Sequence, residues 1–182
     1  NMMGVKEFFN YVNKVNKERE KKGEEKFKPI IGCEVYVAER RLFNKELKED
    51  MRGHHLILLA KNKQGYHNLV KIVSKAWSEG YYYNPRTDKT EIEKYHEGII
   101  CCSACLGGEV PQLIKNGELE KAEEALVEIA AFADNIAVLI GLPIHRNGAT
   151  VSAAALIQNR RVRRYITKRS LQADLDAAYL AQ

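Results

Sequence analysis

Apolar positions along the first 130 residues follow two rhythms in turn. Val5, Phe8, Phe9, Val12 and Val15 fall at helical spacing, and the stripe ends in a charged turn near Gly23. "PIIGCEVYVA" (29–38) then reads as a strand, followed by a polar loop around "NKELKEDMRGH". "HLILLA" (55–60) is a short continuous apolar run, the pattern of a strand covered on both faces. Tyr66, Leu69, Val70, Val73, Ala76 and Trp77 return to helical spacing and are closed by Gly80. A loop, "YYYNPRTDKTEIEKYHEG", leads to a further strand, "IICCSA" (99–104). "LGGEVPQLIKNG" predicts a turn and a short helix. "ELEKAEEALVEIAAFA" predicts a longer one, with Leu119, Ala122, Leu126, Ile129 and Ala133 on one side. Apolar strands alternating with amphipathic helices predict an α/β domain with a mostly parallel sheet.

The texture changes after about residue 134. "IAVLIGLPI", "TVSAAALIQ" and "RRVRRYITK" read as strands, and "SLQADLDAAYLA" as a helix capped by Ser170. The change in composition is the boundary signal, dividing the chain into residues 1–129 and 130–182.

Composition narrows the class. Hydrophobic residues are 45% and charged residues 29%, as in a soluble globular protein rather than a disordered one. No stretch approaches the roughly 20 apolar residues of a membrane span. No basic segment followed by an apolar core opens the chain, so no secretion signal is expected. Cys33, Cys101, Cys102 and Cys105 do not space like a disulfide framework, which predicts reduced thiols and a cytoplasmic location. The net charge of +5 is mild. Its excess lies in a mixed run near the start and a nearly pure Arg/Lys run, "NRRVRRYITKR", near the end, which could meet phosphate.

Polar groups at or within the apolar strands are the candidates for chemistry. They are Glu34 in the first, His54 and His55 at the start of the second, and Cys102 and Cys105 at the end of the third. Glu, His and Cys are all metal ligands, and together they suit Zn²⁺, Mn²⁺ or Fe. Each also has an ordinary structural explanation. Cys33 and Cys101 read as small core residues. The "CSAC" pair lacks a second pair at zinc-ribbon spacing and the helix start that activates redox pairs.

The segments together are more specific than any one of them. "NMMGVKEFFNYV", "PIIGCEVYVA", "HHLILLAKNKQGYHNLVKIVSKAW", "EGYYYNPRTD" and "GIICCSACLGGEVPQLI" resemble, in order and spacing, the PHP domain of bacterial DNA polymerase III alpha subunits. The resemblance covers about residues 1–128 and implies part of a distorted (β/α)7 barrel with a metal cluster at its mouth. Carried over position by position, it makes Glu34, His55 and Cys105 metal ligands and leaves His54, His67, His96, Cys33, Cys101 and Cys102 to structure or surface. It implies a piece of a DNA-directed DNA polymerase, a nucleotidyltransferase of chromosomal replication. Metal-dependent phosphoester or pyrophosphate hydrolysis is expected of the domain where the metal set is complete. DNA and the other polymerase III holoenzyme subunits, the proofreading exonuclease among them, are the implied partners.

Departures from the pattern matter equally. The family's opening H-x-H and Asp-His motifs would precede Asn1, so a truncated start is expected, and no later Asp-x-His motif is found. Three ligands fall short of a multi-metal cluster and the polymerase palm is absent, so little activity is expected of the chain alone. Two alternatives follow: a non-catalytic interaction or decay fragment without metal, and a hydrolase reading of the last third. Residues 136–171, with "IGLPIHRNGATVSAAALIQNRRVRRYITKRSL", resemble a strand pair of the nitrilase superfamily, especially NAD synthetase glutaminase domains. That resemblance implies a short α/β segment of a carbon–nitrogen hydrolase in which Lys168 is the catalytic lysine. Ser152 and Arg160 stand where that family has Asn and Gly. Two incomplete halves predict a chimeric or misassembled reading frame.

Overall fold

The computed structural model describes residues 2–132, 135–137, 144–146 and 149–151. Helix α1 (Val5–Lys21) precedes strand β1 (Gly32–Ala38). A loop with a single 3-10 turn at Glu49–Met51 leads to β2 (Gly53–Ala60) and helix α2 (Lys63–Ser78). Strand β3 (Arg86–Thr87), helix α3 (Lys89–Lys94) and strand β4 (Ile99–Cys102) follow. Helices α4 (Glu109–Lys115) and α5 (Leu119–Phe132) come next, then short strands β5 (Asn135–Ala137), β6 (Ile144–Arg146) and β7 (Ala149–Val151). Ser170, its expected helix and Lys168 lie outside the described residues.

The strands form a five-stranded mixed sheet in the order β3-β1-β2-β4-β5, and β6 and β7 pair as a separate hairpin. This corrects the expectation of a mostly parallel sheet. The two longest pairings, β1 with β2 and β2 with β4, are antiparallel, and only the short edge pairings of β3 and β5 are parallel. For β1 and β2 the reason lies in the 39–52 connection, which carries no crossover helix and so returns the chain in the opposite direction. The mixed α/β class stands.

The sheet has an inner and an outer face. Cys33, Val35 and Val37 alternate inward along β1 and meet Leu56 and Leu58 of β2 in the core. Leu69 and Ile72 of α2, Ile92 of α3, Val110 of α4 and Leu126 of α5 cover that face. Each such fully buried aliphatic side chain contributes about 1.5–3 kcal/mol. Ile57 and Leu59 remain half-buried, so β2 is covered fully on one face rather than on both. Asn62 caps α2 by accepting the Gly65 amide at 2.9 Å.

The predicted loop between α2 and β4 contains β3 and α3. Its Asp88 accepts the Glu91 amide at 2.9 Å and begins the helix. The same buried carboxylate takes Arg41 Nε at 2.7 Å and the Leu42 amide at 3.0 Å, tying the 39–52 loop to α3. Burial works against its charged form, but the Leu42 amide and Arg41 more than offset this and hold its pKa below the ordinary carboxylate value.

Asp50 anchors the other end of that loop. Arg40 donates twice to its carboxylate, and the amides of Leu47 and Glu46 donate at 2.9 and 3.2 Å. The Arg40 hydrogen bond, against the cost of burial, brings the Asp50 pKa to about 2. The unfolded value is about 4. The pairing therefore adds stability above that pH, and the contribution is lost as pH falls from about 4 towards 2. Urea midpoints of the wild-type chain are expected to fall more steeply across this window than those of Asp50→Asn. Parallel curves would contradict this account.

Candidate metal centre

Glu34 explains itself once the faces are known. It sits between inward Cys33 and Val35 and so points outward, where its side chain is 51% exposed. In the β1–β2 register Glu34 faces Ile57 and Tyr36 faces His55. Glu34 and His55 are thus diagonal neighbours on the outer face, within reach of each other. Glu34 Oε1 lies 2.8 Å from His55 Nδ1.

Cys105 arrives from the loop after β4. Ala104 takes a left-handed backbone with φ of 59°, a strained conformation for a residue with a Cβ. That turn sends the chain back over β2, where the His55 amide donates to the Gly107 carbonyl at 2.9 Å. Cys105 Sγ lies 3.3 Å from His55 Nδ1 and accepts the Gly107 amide at 3.4 Å. Gly107 is required here. A Cβ at that position would come within 2.9–3.0 Å of the imidazole. Tyr36 closes the other side of the ring edge-on, with centroids 5.1 Å apart.

The ligand atoms of Glu34, His55 and Cys105 all lie within 4.8 Å of one another. Carboxylate and thiol converge on the same nitrogen, Nδ1, which offers either one proton or one lone pair. It cannot serve both partners well. The arrangement is therefore not a Cys–His–Glu proton relay, which needs the two partners on different ring nitrogens. Three donors around one small volume fit a divalent cation, and the thiolate–imidazole–carboxylate set is one that Zn²⁺ accepts. Beside the triad a cleft of about 560 Å³ is lined by Tyr36, Glu49, Arg52, His54, His55 and Gln112, among others.

The structure thus brings together all three residues expected as ligands. Cys33, Cys101 and Cys102 are buried in the core. Burial pushes the Cys101 thiol up to about 12, with Cys102 adding to the effect, and burial raises Cys102 as well. Both remain neutral core thiols. His54 lines the cleft without joining the triad, and His67 is exposed. Sequence reasoning missed Gly107 and Tyr36, the residues that hold the imidazole between them. The "GG" after Cys105 was the available signal. No helix among the described residues is long and apolar enough to cross a membrane.

The chain belongs to the PHP domain family, whose model matches residues 1–142. Its curated relatives are DNA polymerase III alpha subunits. That of Borreliella burgdorferi is 45% identical over 130 residues, which is 70% of this chain and 10% of the relative. That of Chlamydia pneumoniae is 42% identical over 135 residues, 74% of this chain and 10% of the relative. The Deinococcus radiodurans subunit is 37% identical over 151 residues, 79% of this chain and 11% of the relative. The chain therefore spans about a tenth of the length of these relatives.

Proposed function

We propose that this chain is the metal-binding part of a replicative DNA polymerase III alpha subunit, with Glu34, His55 and Cys105 as ligands to a divalent cation. The observation that carries this reading is the convergence of Oε1, Nδ1 and Sγ within 4.8 Å on the outer face of the sheet. A thiolate beside an imidazole favours Zn²⁺ over the harder Mn²⁺, with Fe between them. Such a cation supplies Lewis acidity for phosphoester or pyrophosphate hydrolysis. The chain's own residues hold the imidazole in place through Gly107 and Tyr36 and leave the triad open to solvent. Three ligands alone support little turnover, so the activity of this chain by itself is expected to be low.

In this reading the mixed sheet is part of a distorted (β/α)7 barrel, and residues 1–129 are the PHP portion. Residues 130–182, with Lys168 in the nitrilase-like reading, are a separate segment. The partners are DNA and the other holoenzyme subunits, including the proofreading exonuclease. The test is metal content of the purified chain by mass spectrometry, followed by titration with Zn²⁺ and Co²⁺. One equivalent bound, lost in a Glu34→Ala and His55→Ala double variant, is the expected result. A wild-type chain that takes up no metal would overturn the proposal in favour of a non-catalytic interaction fragment.

A further inference from the structure

The Cys105 loop is held to β2 by its own backbone, but its far end runs directly into α4, a helix of seven residues. Such a helix is too short to be stable alone, and Gly108 at its N-terminus provides no side-chain cap. Val110 packs its first turn against the core, and a charged contact adds to that packing. Glu109, the first helical residue, accepts Lys89 Nζ at 2.9 Å. The same ammonium donates to Glu128 of α5 at 2.7 Å. Lys89 opens α3, immediately after Asp88, whose carboxylate is already fastened to Arg41 and the Leu42 amide. One nitrogen therefore joins three helices, and it does so behind the triad. A small cavity there is bounded by Lys89, Glu109 and Ser103 together with His54 and His55.

Charge makes this contact one-sided. Burial disfavours the Lys89 ammonium, but Glu128 and Glu109 more than offset this, and its pKa stands above the ordinary lysine value. Without the cation, Glu109 and Glu128 would be two nearby carboxylates screened in part by water, since Glu128 is about half exposed. Repulsion would then push the first turn of α4 away from α5, and Gly107 and Cys105 are the residues connected to it.

We propose that Lys89 is a positioning residue for the metal triad: shared by Glu109 and Glu128, it fixes the start of α4 and so sets the distance from Cys105 to His55. The inference rests on the triad reading above. It assigns Lys89 no contact with the cation. Its effect is on the sulfur, which should lose its place while Glu34 and His55, both carried by the β1–β2 pair, keep theirs.

The test is Co²⁺ titration of the wild-type chain, Lys89→Met and Lys89→Arg, followed by both affinity and the thiolate-to-cobalt charge-transfer band. Lys89→Met is expected to weaken binding about 10- to 100-fold, the range for loss of an outer partner. Its charge-transfer band per bound cobalt is expected to fall, because the sulfur leaves first. Lys89→Arg, which keeps the charge, should restore most of both. Where Lys89→Met does not fold, Lys89→Gln, which also removes the cation but keeps a polar head, replaces it and is expected to show the same loss of band. Equal band and affinity in Lys89→Met (or in Lys89→Gln, where that replaces it) and wild type would overturn the proposal. So would a loss that arginine does not relieve, or one that follows the melting temperature with the band per cobalt unchanged. A wild-type chain that binds no cobalt would overturn the triad reading, and this inference with it. Cobalt bound normally but indifferent to Lys89 would overturn this inference alone.

Discussion

Replacing Arg86 with methionine is expected to cost at least about 3 kcal/mol of stability, a large fraction of what an ordinary domain has. The side chain is fully buried. Among the described residues its guanidinium meets no carboxylate directly. Instead Nη1 donates to the Asp50 carbonyl at 2.5 Å, and Nη2 to the Leu42 and Asn44 carbonyls at 3.0 Å each. Nε donates to the Gly80 carbonyl at 3.2 Å. Burial lowers the pKa of the group, with Asp50 and Tyr82 opposing, yet an arginine stays charged under any ordinary condition. Methionine fills a similar volume and leaves four carbonyls without their donor, each costing about 1–3 kcal/mol where water cannot replace it. Lysine fares little better, because a point charge with three donors cannot span the fork of contacts. Chemical denaturation followed by circular dichroism measures the effect. A methionine variant within about 1 kcal/mol of wild type would show that water replaces the guanidinium and that the loop does not depend on it.

His55→Ala is expected to remove metal binding, with affinity falling by more than about 100-fold, beyond what loss of an outer partner costs. The imidazole is the centre of the triad, since both other ligands are placed by their approach to its Nδ1. Its ring is only 32% exposed and lies between Gly107 and Tyr36, so its position is fixed before any ligand arrives. Glu34, on the exposed outer face, should matter less. Glu34→Gln retains one oxygen ligand and is expected to lose affinity in the range of 10- to 100-fold. Isothermal titration with Zn²⁺ ranks the two. If Glu34→Gln loses as much as His55→Ala, or if His55→Ala still binds normally, the imidazole is not the organising ligand.

The main elements were legible because their patterns are long. α2 was legible as a helix, yet of its expected stripe Leu69 and Ala76 are buried while Tyr66, Val70 and Trp77 are exposed, and the fully buried Ile72 was not singled out. α1 shows the limit of the same reasoning. Its apolar stripe was plain, yet Phe8 and Phe9 are about half exposed and Val12 alone of that stripe is buried. Periodicity identified the helix without saying what covers it. Strand direction was not legible at all, because an apolar run reads the same whichever way its neighbour points. β3 and α3 escaped for want of length, although Asp88 followed three residues later by Glu91 is a capping pattern that could have marked the helix. The three triad residues were singled out by residue type and strand position, and the family resemblance assigned them as ligands. What no spacing rule contains is the Ala104 turn, which reverses the chain so that Cys105 meets His55.

The diagonal placement of Glu34 and His55 has a consequence for how the chain folds. Side chains alternate faces along a strand, so slipping β1 against β2 by one residue would send Glu34 and His55 to opposite sides of the sheet. A misaligned pairing keeps many hydrogen bonds and much of its apolar contact, and is therefore a plausible kinetic trap. It cannot keep the triad. A cation that needs both residues stabilises only the correctly aligned hairpin, by an amount that grows with its concentration. An ion held by the proposed triad would therefore act as a checkpoint on strand alignment, discriminating between the native pairing and its nearest competitor.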